Sequence, residues 1–266
     1  MGESGGEEAG EGEAGKDAAG GPERTSTRSQ RRSDDTTDHR EMTPDDSRDD
    51  LTDDSTVQKR SVAETYDRIA DHFAETRHHP WPEVREFLND RSATVGIDVG
   101  AGNGRHAELV AERTRRVLAV DVSWGLLGTA RERAAEREYA ASLAPVAGDA
   151  GTLPVATGAV GLAVYVATLH HLPTRETRVG SLSELARALG PGGRGLVSAW
   201  STAHDRFDRE TGFDTTVDWT LPGGETVPRF YHVYDPAEFR EDLRRSGLTV
   251  VSTRVSSGNC YAVVAP

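Results

Sequence analysis

The chain has 266 residues, a formal charge of −13 and one cysteine, Cys260, so it has room for one large domain or two small ones, no intrachain disulfide and no Cys/His cluster at metal-ligand spacing. Its longest apolar run, Val160 to Leu169, is too short to cross a bilayer, and its acidic, glycine-rich start lacks the basic and apolar regions of a signal peptide. A disulfide scaffold, a metal centre and a membrane protein are thereby excluded, and the expectation is a metal-free protein of the cytoplasm.

Residues 1–56 contain no aromatic and almost no large aliphatic side chain, and carry 17 acids against 7 bases. Such a stretch cannot bury enough apolar surface to offset its ordering entropy, so it is predicted to be a disordered acidic tail ahead of one α/β domain over residues 57–266. That domain holds 27 acids against 24 bases, so most of the net charge belongs to the tail. An acidic arm disfavours indiscriminate nucleic-acid binding, to DNA in particular, although at molar salt screening shortens to about 3 Å and net charge says little about partners. Lysine occurs only at Lys16 and Lys59, so nearly all positive charge is arginine.

In chain order, Ser61-Val-Ala-Glu64 is a capping box, and Val62, Tyr66, Ile69, Ala70 and Phe73 recur at helical spacing, which predicts a helix starting at Ser61. Trp81-Pro82 puts proline at a first helical position, with Val84, Phe87 and Leu88 as the apolar face of a second short helix. From Thr94 the pattern predicts strand 94–99, helix 105–113, strand 116–121 and helix 124–138. Strands 145–149 and 160–167 follow, then a helix over 174–189 that Gly190-Pro-Gly-Gly193 breaks before strand 195–200. Continuous apolar strands alternating with helices predict a parallel sheet covered on both faces. Asp235-Pro236 opens a helix to Ser246, and segments 248–255 and 259–265 are predicted to close the chain as an antiparallel hairpin around Ser257-Gly258.

Ile97-Asp-Val-Gly-Ala-Gly-Asn-Gly104 lies between the first strand of the sheet and its helix, at the edge where open α/β sheets bind ligands. Glycine lets the backbone approach a ligand closely, and the amides opening the next helix favour an anionic group. Asp98, at the strand end, is placed for a ligand's ammonium group. Asp121 follows about 20 residues on, the offset at which an acid accepts hydrogen bonds from ribose hydroxyls, and Asp149 ends the third strand, where an acid suits an adenine amino group. The glycine loop alone is weak evidence, since a tight strand-to-helix turn is its other reading. Three acids at three successive strand ends favour a nucleoside site.

The glycines run G-x-G-x-G with an acid two residues before the first, not the G-x-G-x-x-G of dinucleotide enzymes. This pattern resembles the class I S-adenosylmethionine-dependent methyltransferases, which implies a Rossmann-like, doubly wound, mostly parallel sheet, here with the C-terminal antiparallel hairpin. The resemblance implies S-adenosylmethionine as cofactor, with Asp98, Gly100, Gly102, Asn103 and Gly104 as its loop, Asp121 and Val122 at the ribose, Asp149 and Ala150 beside adenine, and Ala167 near the methionine portion.

A narrower likeness lies in the flanks. Tyr66-Asp-Arg-Ile-Ala-Asp-His-Phe73, Thr76-Arg77, Trp81-Pro82, Thr168-Leu-His-His-Leu172, Arg229-Phe-Tyr-His232 and Gly258-Asn-Cys-Tyr261 together resemble the tRNA methyltransferases that esterify carboxymethyluridine at the wobble position. The likeness implies a carboxylate acceptor on a tRNA base and a small activator subunit. A carboxylate nucleophile is ionised at neutral pH and needs an orienting clamp rather than a general base. Arg229 is the first candidate for the clamp, with Tyr231, His232, His171 and Arg77 as companions and Trp81 as a surface on which a base could stack.

Other readings stand beside these. His170 and His171 are equally read as caps of the fourth strand and Trp81 as a core anchor, and Arg229 also reads as a solvated loop cation. A small metabolite is the alternative acceptor, and a non-catalytic cofactor-binding subunit the alternative role. Ala101 stands where the narrower family often carries cysteine, and Gly180 interrupts a predicted helix. The segment Asp205–Asp218 holds five acids and two arginines near the expected substrate mouth, where a tRNA surface should be basic.

Overall fold

The structure, a computed structural model, describes residues 50–266. Helices α1 (Asp50–Thr76) and α2 (Pro82–Leu88) precede β1 (Ala93–Val99), α3 (Arg105–Ala111), β2 (Thr114–Asp121), α4 (Trp124–Glu136) and β3 (Leu143–Ala147). Then come β4 (Val160–Tyr165), a single 3-10 turn (Leu169–His171), α5 (Arg175–Ala188) and β5 (Leu189–Trp200). The chain continues through β6 (Phe213–Thr220), β7 (Thr226–Val233), α6 (Pro236–Arg245), β8 (Thr249–Ser256) and β9 (Asn259–Ala265).

Seven strands form one sheet in the order β3-β2-β1-β4-β5-β9-β8. The first five are parallel, and β9 inserts antiparallel between β5 and β8. The doubly wound sheet and its C-terminal hairpin are thus present as expected. The chain winds outward from β1 to β3, then returns to β4 on the other side of β1. That reversal opens a crevice at the carboxyl ends of β1 and β4, where ligands enter such sheets.

Side chains alternate across the pleat, so each strand feeds two cores. Leu182 and Leu185 of α5 and Phe239 and Leu243 of α6 cover one face, against Ile97, Val99 and Val197. On the other face Val84, Phe87 and Leu88 of α2 and Val110 of α3 meet Val117, Ala119 and Val164. Each fully buried side chain of this size contributes about 1.5–3 kcal/mol, and together they hold the strand ends of the crevice in register.

Four expectations change. The first helix does not start at Ser61 but already covers Asp50, the first described residue, because Val57-Gln-Lys-Arg60 offers nothing that stops a helix. It therefore takes in the last residues assigned to the acidic tail, while residues 1–49 of that tail lie outside the described residues. Gly190-Pro-Gly-Gly193 does not separate helix from strand. β5 starts at Leu189, pairs with Val160 and absorbs the glycines as a register shift between Val160 and Leu162. β3 ends at Ala147, so Asp149 lies two residues past the strand rather than at its end. Finally, β6 and β7 form a separate two-stranded antiparallel sheet that the sequence reading did not foresee.

Candidate active site at the switch point

Between β1 and α3 the loop is held open by backbone geometry that glycine supplies. Gly100 has φ +69°, and a Cβ there would lie 2.1 Å from Thr168 Oγ1, so the loop can approach the end of β4 only without a side chain. Gly102, at φ +53°, faces more open space, with the Phe73 ring of α1 3.6 Å from its would-be Cβ. Gly104, in the left-handed region, turns the chain into α3.

Three polar groups of this loop define its chemistry. Asp121 accepts hydrogen bonds from Gly102 N–H at 2.8 Å and Ser123 N–H at 2.9 Å, so the acid ending β2 ties the glycine loop to the start of α4. Burial raises its pKa, and those amides partly offset the rise. Asp98 is 1% exposed, and its Oδ2 has no hydrogen-bond partner among the described residues. Burial, with the nearby Asp121 charge, pushes its pKa up to about 7 against the pull of Arg105. Asn103 donates from Nδ2 to the Arg77 carbonyl at 2.9 Å, while its buried Oδ1 is also unpartnered. A buried acceptor without a donor costs about 1–3 kcal/mol. Asp98 and Asn103 therefore fit a ligand that brings donors, as an ammonium group does.

Along the crevice, Val122 exposes 37% of its surface next to Asp121, an apolar seat suited to a flat ring. Ala150 is buried, and Asp149 Oδ1 accepts from Gly151 N–H at 2.7 Å, which shapes the loop after β3. Ala167 takes φ +57°, unusual for a residue with a side chain, with its N–H 3.2 Å from Ser198 Oγ. Backbone strain of this kind concentrates at ligand sites.

A second cluster forms where α1, the 3-10 turn and β7 meet. His171 Nδ1 lies 2.9 Å from the Phe230 carbonyl, which can only accept, so Nδ1 carries the proton and Nε2 accepts from the Tyr66 hydroxyl at 2.8 Å. Burial lowers the His171 pKa to about 4. Arg229 and Tyr231 alternate onto the same face of β7, and Arg229 meets Trp219 of β6: its guanidinium lies 4.8 Å from the Trp219 ring centre and 5.3 Å from that of Tyr231. The Arg77 guanidinium reaches the same indole at 5.3 Å, and burial and the Arg229 charge lower its pKa. Neither arginine forms an ion pair with a carboxylate among the described residues, and Arg229 Nε is buried without a partner.

The structure therefore gathers Arg77, His171, Arg229 and Tyr231 and leaves out His232. The latter lies on the opposite face of β7, its Nδ1 2.6 Å from Asp214 and its Nε2 3.0 Å from Glu238, and so fastens the hairpin to α6. His170 accepts from Trp200 N–H at 3.0 Å, so it holds the end of β5 rather than capping β4 as expected. Trp81 packs beside His106 and Tyr261, with the Arg105 guanidinium 5.5 Å from its ring, which is the core-anchor reading. Part of the acidic run also turns away: Asp214 and Asp218 alternate onto the face of β6 opposite Trp219.

Trp219, and Tyr66 as more than helix core, were missed. The signal for Trp219 was present, since Phe213, Thr215, Val217 and Trp219 alternate with Asp214, Thr216, Asp218 and Thr220, a period of two. Asp67 was also missed. It accepts from Ser123 Oγ at 2.6 Å and Gly125 N–H at 2.9 Å, linking α1 to the start of α4 beside Asp121. No three His, Cys, Asp or Glu side chains among the described residues are grouped to hold a metal ion.

Residues 97–193 match a family model described as a methyltransferase domain. The chain is 36% identical over 146 residues to the tRNA (carboxymethyluridine(34)-5-O)-methyltransferase ALKBH8 of Mus musculus, covering 54% of this chain and 20% of that protein. It is 32% identical over 179 residues to the enzyme of the same description from Saccharomyces cerevisiae, covering 65% of this chain and 61% of the relative. The Schizosaccharomyces pombe counterpart is 25% identical over 228 residues, covering 76% and 94%. The chain thus spans about a fifth of the animal relative's length and three fifths of the budding-yeast one. Among solved structures, the CcbJ methyltransferase from Streptomyces caelestis superposes with a TM-score of 0.64 at 21% identity, covering 77% of this chain and 98% of that one. A putative methyltransferase from Haloferax volcanii, solved in complex with the Trm112 methyltransferase activator, gives 0.56 at 16% identity, covering 77% and 96%.

Proposed function

We propose that this chain, whose sheet and helices have the class I methyltransferase fold, moves a methyl group from S-adenosylmethionine to the carboxylate of 5-carboxymethyluridine at the wobble position of tRNA. The observation that carries this reading is the pair of arginines at Trp219. Two guanidinium groups held together without a carboxylate partner among the described residues favour binding of an anion, and the buried, unpartnered Arg229 Nε supplies a directed donor.

The cofactor, when bound, supplies a methyl group activated by a sulfonium. On this reading Asp98 and Asn103 hold its ammonium group, Asp121 its ribose hydroxyls, and Val122, Asp149 and Ala150 its adenine, with Ala167 at the methionine end. The orphaned acceptors of Asp98 and Asn103 support that assignment. The protein's part in the reaction is to orient the acceptor oxygen and exclude water.

The same cluster is poorly equipped to remove a proton. Both nitrogens of His171 are engaged and its pKa lies near 4, burial holds His170 well below the ordinary histidine range, and Tyr66 is pushed well above the ordinary tyrosine range. An amine or hydroxyl acceptor would need a base, whereas a carboxylate needs none. This favours a carboxylate over most other acceptors of the fold.

The Haloferax volcanii neighbour is in complex with a methyltransferase activator, and a small activator subunit belongs to the reading for this chain as well. The reaction is assigned to the cytoplasm. No helix of the described residues is long and apolar enough to cross a membrane.

The test is incubation with radiolabelled S-adenosylmethionine and tRNA carrying carboxymethyluridine, with and without an activator subunit. A base-labile label in tRNA is expected. Label confined to small molecules from cell extract would favour the metabolite reading, and cofactor binding without transfer to any acceptor would favour a non-catalytic subunit.

A further inference from the structure

The geometry points to Tyr66 as the positioning residue of the acceptor clamp, acting through His171 on one side and Arg229 on the other; this rests on the carboxylate reading above.

The direction of the hydrogen bonds carries the argument. A backbone carbonyl cannot donate, so Phe230 fixes the proton of His171 on Nδ1 at 2.9 Å. His171 Nε2 is then an acceptor, and the Tyr66 hydroxyl must spend its only proton on it at 2.8 Å. What remains on the Tyr66 oxygen can only accept. The donor close to it is the Arg229 guanidinium. A single carbonyl of β7 thereby sets, through two side chains, the polarity presented to a guanidinium that leaves the same strand one residue earlier. The guanidinium beside Tyr66 keeps a buried, unpartnered Nε–H, a donor that it can offer to the acceptor.

The packing agrees. The Tyr66 ring meets His171 edge-on at 5.2 Å, and His171 meets Tyr231 at 4.5 Å. Ile69, one turn along α1 from Tyr66, packs with Trp219, the indole on which Arg229 lies. Tyr66 thus joins three stretches of chain, 105 residues from His171, which is itself 59 residues from Phe230. A residue that served only as helix core would need the ring and not the hydroxyl.

Tyr66→Phe keeps the ring and removes the hydroxyl, so the test is a cycle of Tyr66→Phe, Arg229→Ala and the double variant, read as single-turnover methyl transfer to carboxymethyluridine tRNA. Tyr66→Phe is expected to lower the rate about thirtyfold, the scale of a clamp misplaced by a fraction of an ångström, with cofactor affinity unchanged. In the Arg229→Ala background the same change should cost nothing further. Additive losses, or a wild-type rate for Tyr66→Phe, overturn the role of Tyr66 and leave the carboxylate reading standing. A wild-type chain that moves no methyl group to tRNA overturns both. Independently of folding in the variants, 15N NMR of the wild-type histidines should show His171 as the neutral Nδ1–H tautomer from pH 5 to pH 8. The Nε2–H tautomer, or an imidazolium, in that range overturns the relay.

Discussion

Asp121 accepts the Gly102 N–H at 2.8 Å, so one carboxylate both terminates β2 and holds the glycine loop against it. The acid at the end of β2 and the conformation of the glycine loop are therefore one structural unit, and disturbing the acid disturbs the proposed cofactor site as well.

Asp121→Ala is accordingly expected to weaken S-adenosylmethionine binding by at least about a hundredfold, since two hydrogen bonds to a charged acceptor are worth about 1.5–3 kcal/mol each. Calorimetric titration checks this. An unchanged affinity would remove Asp121 from the cofactor site.

Arg229→Ala should leave cofactor affinity intact and lower turnover on tRNA by about a hundredfold, the loss expected when a positioning cation is removed. Arg229→Lys should restore little, because a point charge cannot reproduce the directed Nε–H. If cofactor binding fell and turnover per bound cofactor held, Arg229 would belong to the other half of the crevice.

At saturating cofactor and tRNA, the turnover number should be flat from about pH 6 to pH 8, because a carboxylate acceptor loses no proton in that range. The lowered pKa of His171, about 4, keeps the nearest imidazole neutral there. A steep rise through pH 7 in stopped-flow or filter-based rates would indicate a general base and an acceptor other than a carboxylate.

Asp98 has its pKa raised from an ordinary 3.8 to about 7. The folded chain therefore holds this proton where the unfolded chain has lost it, and the cofactor-free protein should lose stability as pH rises from about 4 to about 7, by at most about 1.4 kcal/mol per pH unit. Thermal melts across pH 5 to 8 should show the decline in the wild type and a shallower one in Asp98→Asn. Equal slopes would mean that Asp98 does not titrate there.

Gly180 sits exposed within α5, and a Cβ there would meet nothing within 4 Å. Gly180→Ala should raise stability by about 0.4–1 kcal/mol through helix propensity and a less flexible unfolded chain. For a domain of this size that is a rise of about 1–4 °C in Tm, measured by calorimetry, with turnover unchanged.

The glycine loop and the strands around it were legible because their signals are local. The parallel strands carry short apolar runs, such as Val117–Val120 and Leu162–Val166, and the segment from Asp98 to Gly104 stands in one uninterrupted stretch. Boundaries were less legible: nothing near Ser61 stops α1, and the glycines at the start of β5 join the strand because Val160 pairs with Leu189. The β6–β7 hairpin went unseen because its alternation runs through threonine and aspartate, where the difference in polarity between faces is weak.

By itself, then, the sequence determined the order of the seven-stranded sheet's strands and helices along the chain, the glycine loop and the acids along the crevice, since each depends on neighbours a few residues apart. Only the tertiary structure decided that Arg77 and Arg229 share one indole, that Tyr66 meets His171 across 105 residues, and that His232 faces away from them. Those relationships arise from packing α1 against a hairpin that follows it by more than a hundred residues, and no spacing along the chain encodes which side chains such packing brings within reach.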